Sequence, residues 1–149
     1  MKYPFALILL LSCLCGCTSV TVQPLTTKYK VEKVLIKTNP KVEVDDFLDV
    51  LVAGFERHGI ATKIVDDSAD TKEAFVVTYV AYRQWDMAPY LVRATITIDK
   101  DGQRVAQAEY HLRAGGGFSL MKWQGTQAKI NPVIDQLVAR PIPGLGVKP

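Results

Sequence analysis

YLVRATITIDKDGQRVAQAEYHL, residues 90–112, spells two strands joined by a tight turn. Tyr90, Val92, Ala94, Ile96 and Ile98 alternate with Arg93, Thr95, Thr97 and Asp99. A period of two points successive side chains to opposite faces of a sheet, so the first set faces a core and the second faces out. Asp101-Gly102 supplies the two positive-φ positions of a two-residue hairpin turn. On the return, Ala106, Ala108, Tyr110 and Leu112 share one face, and Gln107, Glu109 and His111 share the other. The return strand reads as an edge.

Upstream, Asp86-Met87-Ala88-Pro89 turns the chain. Residues 74–85 are apolar on both parities, with Phe75, Val77, Tyr79 and Ala81 on one and Val76, Val80 and Tyr82 on the other. That pattern predicts a central strand covered on both faces. Residues 31–37 and 61–65 predict two further strands. Between them Val44, Phe47, Leu48, Leu51, Val52 and Phe55 recur at helical spacing, which predicts an amphipathic helix over about 43–58. Asp45 and Asp46 sit in its first turn, where the helix dipole favours acids. Gly59 is placed to close it in the left-handed conformation.

Downstream, Gly115-Gly116-Gly117 reads as a loop. Ile130, Val133, Ile134, Leu137 and Val138 again have helical spacing. This helix starts either at Thr126, tolerating Pro132, or at Asn131 as N-cap with Pro132 in the first turn. The order β-α-β-β-β-β-α predicts an α+β two-layer sandwich. Its sheet is expected to be largely antiparallel, four- to five-stranded, with two helices packed on one face.

The N-terminus carries a different signal. Lys2 precedes an apolar run to Leu14 that is too short to span a bilayer as a helix, which needs about 20 residues. Leu14-Cys15-Gly16-Cys17 resembles the lipobox of bacterial lipoproteins. The resemblance implies that residues 1–16 are a cleaved signal peptide and that the Cys17 thiol and freed amine take acyl chains. Three acyl chains exceed the two signals needed for stable anchoring. Thr18 follows, rather than the Asp that holds such lipoproteins at the inner membrane, so the resemblance implies the outer membrane, with the domain facing the periplasm. All three cysteines lie at 13, 15 and 17. Cleavage before Cys17 would leave a domain without disulfides, suited to an oxidising compartment. Residues 17–30 read as the lipidated N-terminus and a polar tether with a reach of about 20 Å. Residues 31–140 read as the domain, and 141–149 as a loose Pro/Gly-rich tail.

The leader, NPKVEVDDFLDVLVAGFERHGI (39–60), YVAYRQWDMAPYLVRATITI and KINPVIDQLV together look like a family of small lipoproteins of Gram-negative bacteria that has no assigned activity. The likeness spans nearly the whole chain. It implies a compartment and a fold, not a reaction. The order of elements is also similar to periplasmic accessory modules, a likeness of architecture alone.

The whole chain carries a formal charge of +3, which falls by one when Lys2 leaves with the leader. No basic run, zinc spacing or ribonucleoprotein motif points to nucleic acid. His58 and His111 are the only histidines. Their expected roles are capping and surface. Ser19, Ser68 and Ser119 lack a nucleophile-elbow context. Asp45-Asp46 and Asp66-Asp67 belong to a helix start and a turn. No catalytic residue, metal or cofactor is expected. Trp85, Met87, Tyr90, Phe118 and Trp123 flank two turns and form a candidate partner surface, since exposed aromatics with Met and Arg mark interfaces. The bland alternative is that they close a sheet edge or complete the core. The expected function is a non-enzymatic envelope module, anchored to the membrane through its acyl chains and binding an envelope protein. The alternative is a small-molecule carrier or a hydrolase.

Overall fold

The structure is a computed structural model, and it describes residues 18–113 and 120–139. In chain order the elements are β1 (Thr18–Gln23), β2 (Lys33–Lys37), α1 (Phe47–Arg57), β3 (Ala61–Val65), β4 (Phe75–Asp86), β5 (Ala88–Lys100) and β6 (Gln103–Leu112). A 3-10 turn (Leu120–Trp123) and α2 (Thr126–Val138) follow. The class is α+β, as expected, but the sheet has six strands and is mixed. Its order is β1-β6-β5-β4-β2-β3. β1, β6, β5 and β4 are antiparallel neighbours, whereas β2 runs parallel to both β3 and β4. The parallel pair follows from connectivity: α1 carries the chain back across the sheet between β2 and β3, so both strands run the same way.

Residues 18–30 are not a free tether. β1 pairs along its whole length with β6, from Thr18 opposite Leu112 to Gln23 opposite Gln107. Val22 packs against the core and Leu25 is buried in it. The Leu25 amide donates to the Leu137 carbonyl at 2.8 Å, which ties this segment to α2. Since β6 is paired on both sides, it is an interior strand rather than an edge.

One core lies between the sheet and the two helices. Phe47, Leu51 and Phe55 of α1, and Ile130, Ile134 and Leu137 of α2, are fully buried with Val34, Ile36, Val77, Ile96 and Ala108. Each such large apolar side chain contributes about 1.5–3 kcal/mol on burial. Phe47 stacks on Tyr79 with ring centroids 5.4 Å apart. The helices meet at Gly54, where a Cβ would lie 2.3 Å from the Ile134 Cδ1 atom. α1 ends as its sequence foretells: Gly59 has φ +72°, and the Ile60 amide reaches back to the Phe55 carbonyl at 3.2 Å. It begins at Phe47, later than the apolar stripe suggests, because Asp46 occupies the N-cap position. α2 takes the longer of its two expected spans. Pro132 lies inside it, on an exposed face where water can reach the Ala128 carbonyl left without a donor.

The second face of the sheet is open. Val80 and Tyr82 of β4 are exposed there, so β4 is central but not covered on both sides. The β5 alternation also slips once. Tyr82 pairs with Arg93 but Arg83 pairs with Leu91, so Val92 is the extra residue of a bulge. Leu91, not Val92, joins Tyr90 and Ala94 in the core.

Candidate functional site

Four segments meet at one end of the sheet: the start of β1, the end of β6, the end of β4 and the start of β5. Across the open face there, Tyr82, Arg93, His111 and Ser19 stand directly opposite one another on β4, β5, β6 and β1. Arg113 follows β6 on the same face and donates to Ser19 Oγ at 3.4 Å. Arg93, His111 and Arg113 are exposed. The first carboxylate further along this face is Glu109, between Thr95 and Thr21, and the Gln107 side-chain amide donates to it at 2.8 Å. Among the described strands, only the β4–β5 hairpin continues beyond the Thr18–Leu112 row. Since Leu91 and Arg83 lie level with that row, the tip at Met87 projects roughly 13 Å further. Trp85 is 75% exposed and Met87 82% exposed at this tip. Met87 takes φ +60°, in the left-handed region, which lets Asp86 pair directly with Ala88.

The 3-10 turn braces the hairpin from behind. Trp123 Nε1–H donates to the Asp86 carbonyl at 3.0 Å. Lys122 forms an ion pair with the Asp86 carboxylate and lies 4.4 Å from the Trp123 ring centroid. One residue pair deeper, Lys129 Nζ donates to the carbonyls of Leu91 at 3.1 Å and Lys122 at 2.6 Å. Burial holds the Lys129 amine below the usual lysine range. Tyr90 is buried beneath, and its hydroxyl donates to Gln84 at 3.3 Å.

Of the five residues expected to form a partner surface, Trp85, Met87 and Trp123 thus come together at the surface. Tyr90 does not: it lies in the core, as its alternation with Ala94 and Ile96 predicts. Phe118, and the lipobox residues Leu14, Cys15, Gly16 and Cys17, lie outside the described residues. Sequence reading missed Lys122, Asp86 and Lys129. Lys129 had a signal, since it falls on the apolar stripe of α2 between Thr126 and Val133, where a lysine must find partners inside. The basic row had none, because it exists only once the strand registers are known.

The remaining candidates scatter. His58 and Arg57 both reach Asp135 Oδ1 at 2.7 Å, a contact that ties α1 to α2. Burial raises the Asp135 carboxyl, but the hydrogen bonds from His58 and Arg57 outweigh it and leave the group below its ordinary value. Asp46 accepts from Thr126 Oγ1 at 2.7 Å, so that acid joins the two helix starts. Among the described residues, no cluster of three or more His, Cys, Asp or Glu side chains is placed to hold a metal ion. A cleft of about 710 Å³ lies on the surface remote from the hairpin tip, lined by Lys37, Asp67, Asp70, Val76 and Asp99 among others.

No protein-family model matches the chain, and no curated protein matches it in sequence. Solved structures do match in fold. The PelC dodecamer from Paraburkholderia phytofirmans is similar at a TM-score of 0.57 and 18% identity, over 81% of this chain and 99% of that one. A variant of the same dodecamer gives 0.56 and 16%, over 83% and 98%. A minor lipoprotein from Acinetobacter baumannii is a distant neighbour at a TM-score of 0.33 and 18% identity, over 70% of this chain and 87% of that one. At these identities the PelC likeness is one of fold.

Proposed function

We propose that the chain is an outer-membrane-anchored lipoprotein whose periplasmic domain is a non-enzymatic binding or assembly module of the cell envelope. One observation carries this reading: β1 begins at Thr18, directly after the lipobox-like Leu14-Cys15-Gly16-Cys17. Acyl chains on Cys17 would then be attached to the sheet itself. A domain so mounted is held against the bilayer in a fixed posture, which suits contact with other membrane-bound components better than a search for soluble substrate. The PelC fold occurs in a dodecamer, and β1 and β3 end this sheet with no further strand beside them among the described residues, which supports assembly. A carrier for small apolar molecules would need space between helices and sheet, and Phe47, Leu51, Ile130 and Ile134 fill that layer.

Mass spectrometry of the mature N-terminal peptide tests the anchor. The expected species begins at Cys17 and carries diacylglyceryl and amide-linked acyl mass, and it disappears in Cys17→Ala. A mature chain beginning elsewhere without acyl mass refutes the reading. Crosslinking in intact cells tests the module, which should yield a defined envelope partner or discrete self-oligomers rather than bulk porins.

A further inference from the structure

We propose that the anchor end of the sheet is itself a lipid-binding surface. The Trp85–Met87 tip enters the interfacial layer of an anionic phospholipid leaflet, while Arg93, His111 and Arg113 face its phosphates. This rests on the reading of Cys17 as the lipidated residue.

Three observations converge on it. The first is position: Thr18 lies in the same row as Leu112, next to the Arg93–His111–Ser19 row and on the same end as the hairpin. Whatever membrane holds residue 17 is therefore the surface nearest to Trp85. The second is chemistry. Tryptophan is enriched at membrane–water interfaces, where its ring lies at headgroup level. Trp85 and Met87 are the two most exposed large apolar side chains of the described residues. The only acid at the tip, Asp86, is neutralised by Lys122, so burial of the tip in headgroups strands no lone carboxylate. The third is charge. The exposed groups at the anchor end of the open face are Arg93, His111 and Arg113, without an acid among them. Arginines near an anionic leaflet are drawn in by its negative surface potential.

The dimensions agree. The headgroup zone is about 5–8 Å deep on each side of the hydrocarbon. A tip that projects roughly 13 Å past the Thr18 row crosses that zone when the sheet stands upright. Tilting the sheet toward its open face brings the acyl-bearing N-terminus, the tip and the arginines to one plane. The brace of Trp123 and Lys122 on Asp86 keeps the tip from folding back.

The test uses the full mature chain in vesicles of phosphatidylethanolamine and phosphatidylglycerol, with or without brominated acyl chains. The chain has two tryptophans, so Trp123→Phe leaves Trp85 as the sole reporter, with the Lys122–Asp86 ion pair still bracing the tip. Trp85→Phe leaves Trp123 as a control for folding. The expected result is that brominated lipid removes about half or more of the Trp85 emission, that acrylamide in the aqueous phase quenches it poorly, and that Arg93→Glu with Arg113→Glu restores the emission. Trp85 emission that is insensitive to bromine and open to acrylamide overturns the proposal. Shielding from acrylamide without bromine quenching also overturns it, because the tip is then covered by protein. The mass of the N-terminal peptide is read on the same sample. If it shows no acyl chain, the anchor has failed, and the quenching of added vesicle-bound protein still decides the fate of the tip.

Discussion

Gly54→Ala, combined with Ile134→Val, probes the contact that sets the two helices against each other. An alanine Cβ at position 54 would meet Ile134 Cδ1 at 2.3 Å, while the Ile134 Cγ1 and Cγ2 atoms stand at 3.5 Å, an ordinary contact. Forcing a methyl into a packed interface costs about 1–3 kcal/mol. Replacing a mid-helix glycine with alanine recovers about 1 kcal/mol of helix propensity. Gly54→Ala alone should therefore destabilise by about 1 kcal/mol. Ile134→Val alone removes the Cδ1 methyl and should cost about 0.5–1.5 kcal/mol. Together the changes move one methyl group across the interface, and the propensity gain remains. The double variant should be as stable as the parent or slightly more so, with a coupling energy of about 2 kcal/mol favouring the pair. Urea denaturation of the mature chain in mild detergent, followed by circular dichroism, gives all four corners of the cycle. Additivity within about 0.5 kcal/mol would mean that α1 and α2 do not touch at Gly54, and the packing described above would be wrong.

Two further outcomes concern charge. Asp135→Asn should lower stability at neutral pH by about 0.5 kcal/mol, since the carboxylate is partly exposed and screened. Asp135 titrates below its ordinary value, so its contribution is present above the unfolded carboxyl range and is lost as pH falls through the lowered native value. Denaturation midpoints of parent and variant should converge in acid, and a gap that persists there would exclude the carboxylate as its source. Lys129 gives a slope of the same sign, in the alkaline range. Its native amine titrates below the unfolded one, so the unfolded chain binds more protons between the two values and stability rises with pH across that interval. Lys129→Met should remove this rise, and an unchanged alkaline slope would show that burial does not lower the amine.

The antiparallel part of the fold was legible because β4, β5 and β6 are long enough to repeat their alternation, and because Asp101-Gly102 fixes the turn. Both of those residues have positive φ. The parallel part was hidden because Lys33–Lys37 and Ala61–Val65 are five residues each, and a short apolar run does not tell its neighbour's direction. β1 was hidden for another reason. Its two valines sit among threonine, serine and glutamine, and what recruits them is the free edge of β6, a tertiary partner far along the chain. The bulge at Val92 is invisible to periodicity, and it put Leu91 rather than Val92 into the core beside Tyr90. Trp85 and Met87 were legible as candidates since nothing in a turn of Asp, Ala and Pro offers them shelter. Their meeting with Arg93, His111 and Arg113 needed the registers.

The pairing of Thr18 with Leu112 also fixes a chronology. β1 is the first part of the folded domain to be synthesised, yet its only strand partner is the last strand of the sheet. Contacts between such distant segments form late, because the chain between them must first be ordered. Until β6 arrives, Thr18–Gln23 has no strand partner among the described residues. Under the lipoprotein reading proposed above, the enzymes that modify Cys17 would meet this segment unpaired, and β6 would then seal it into the sheet. Acylation would precede strand closure, and the nascent protein would be tethered before it is finished.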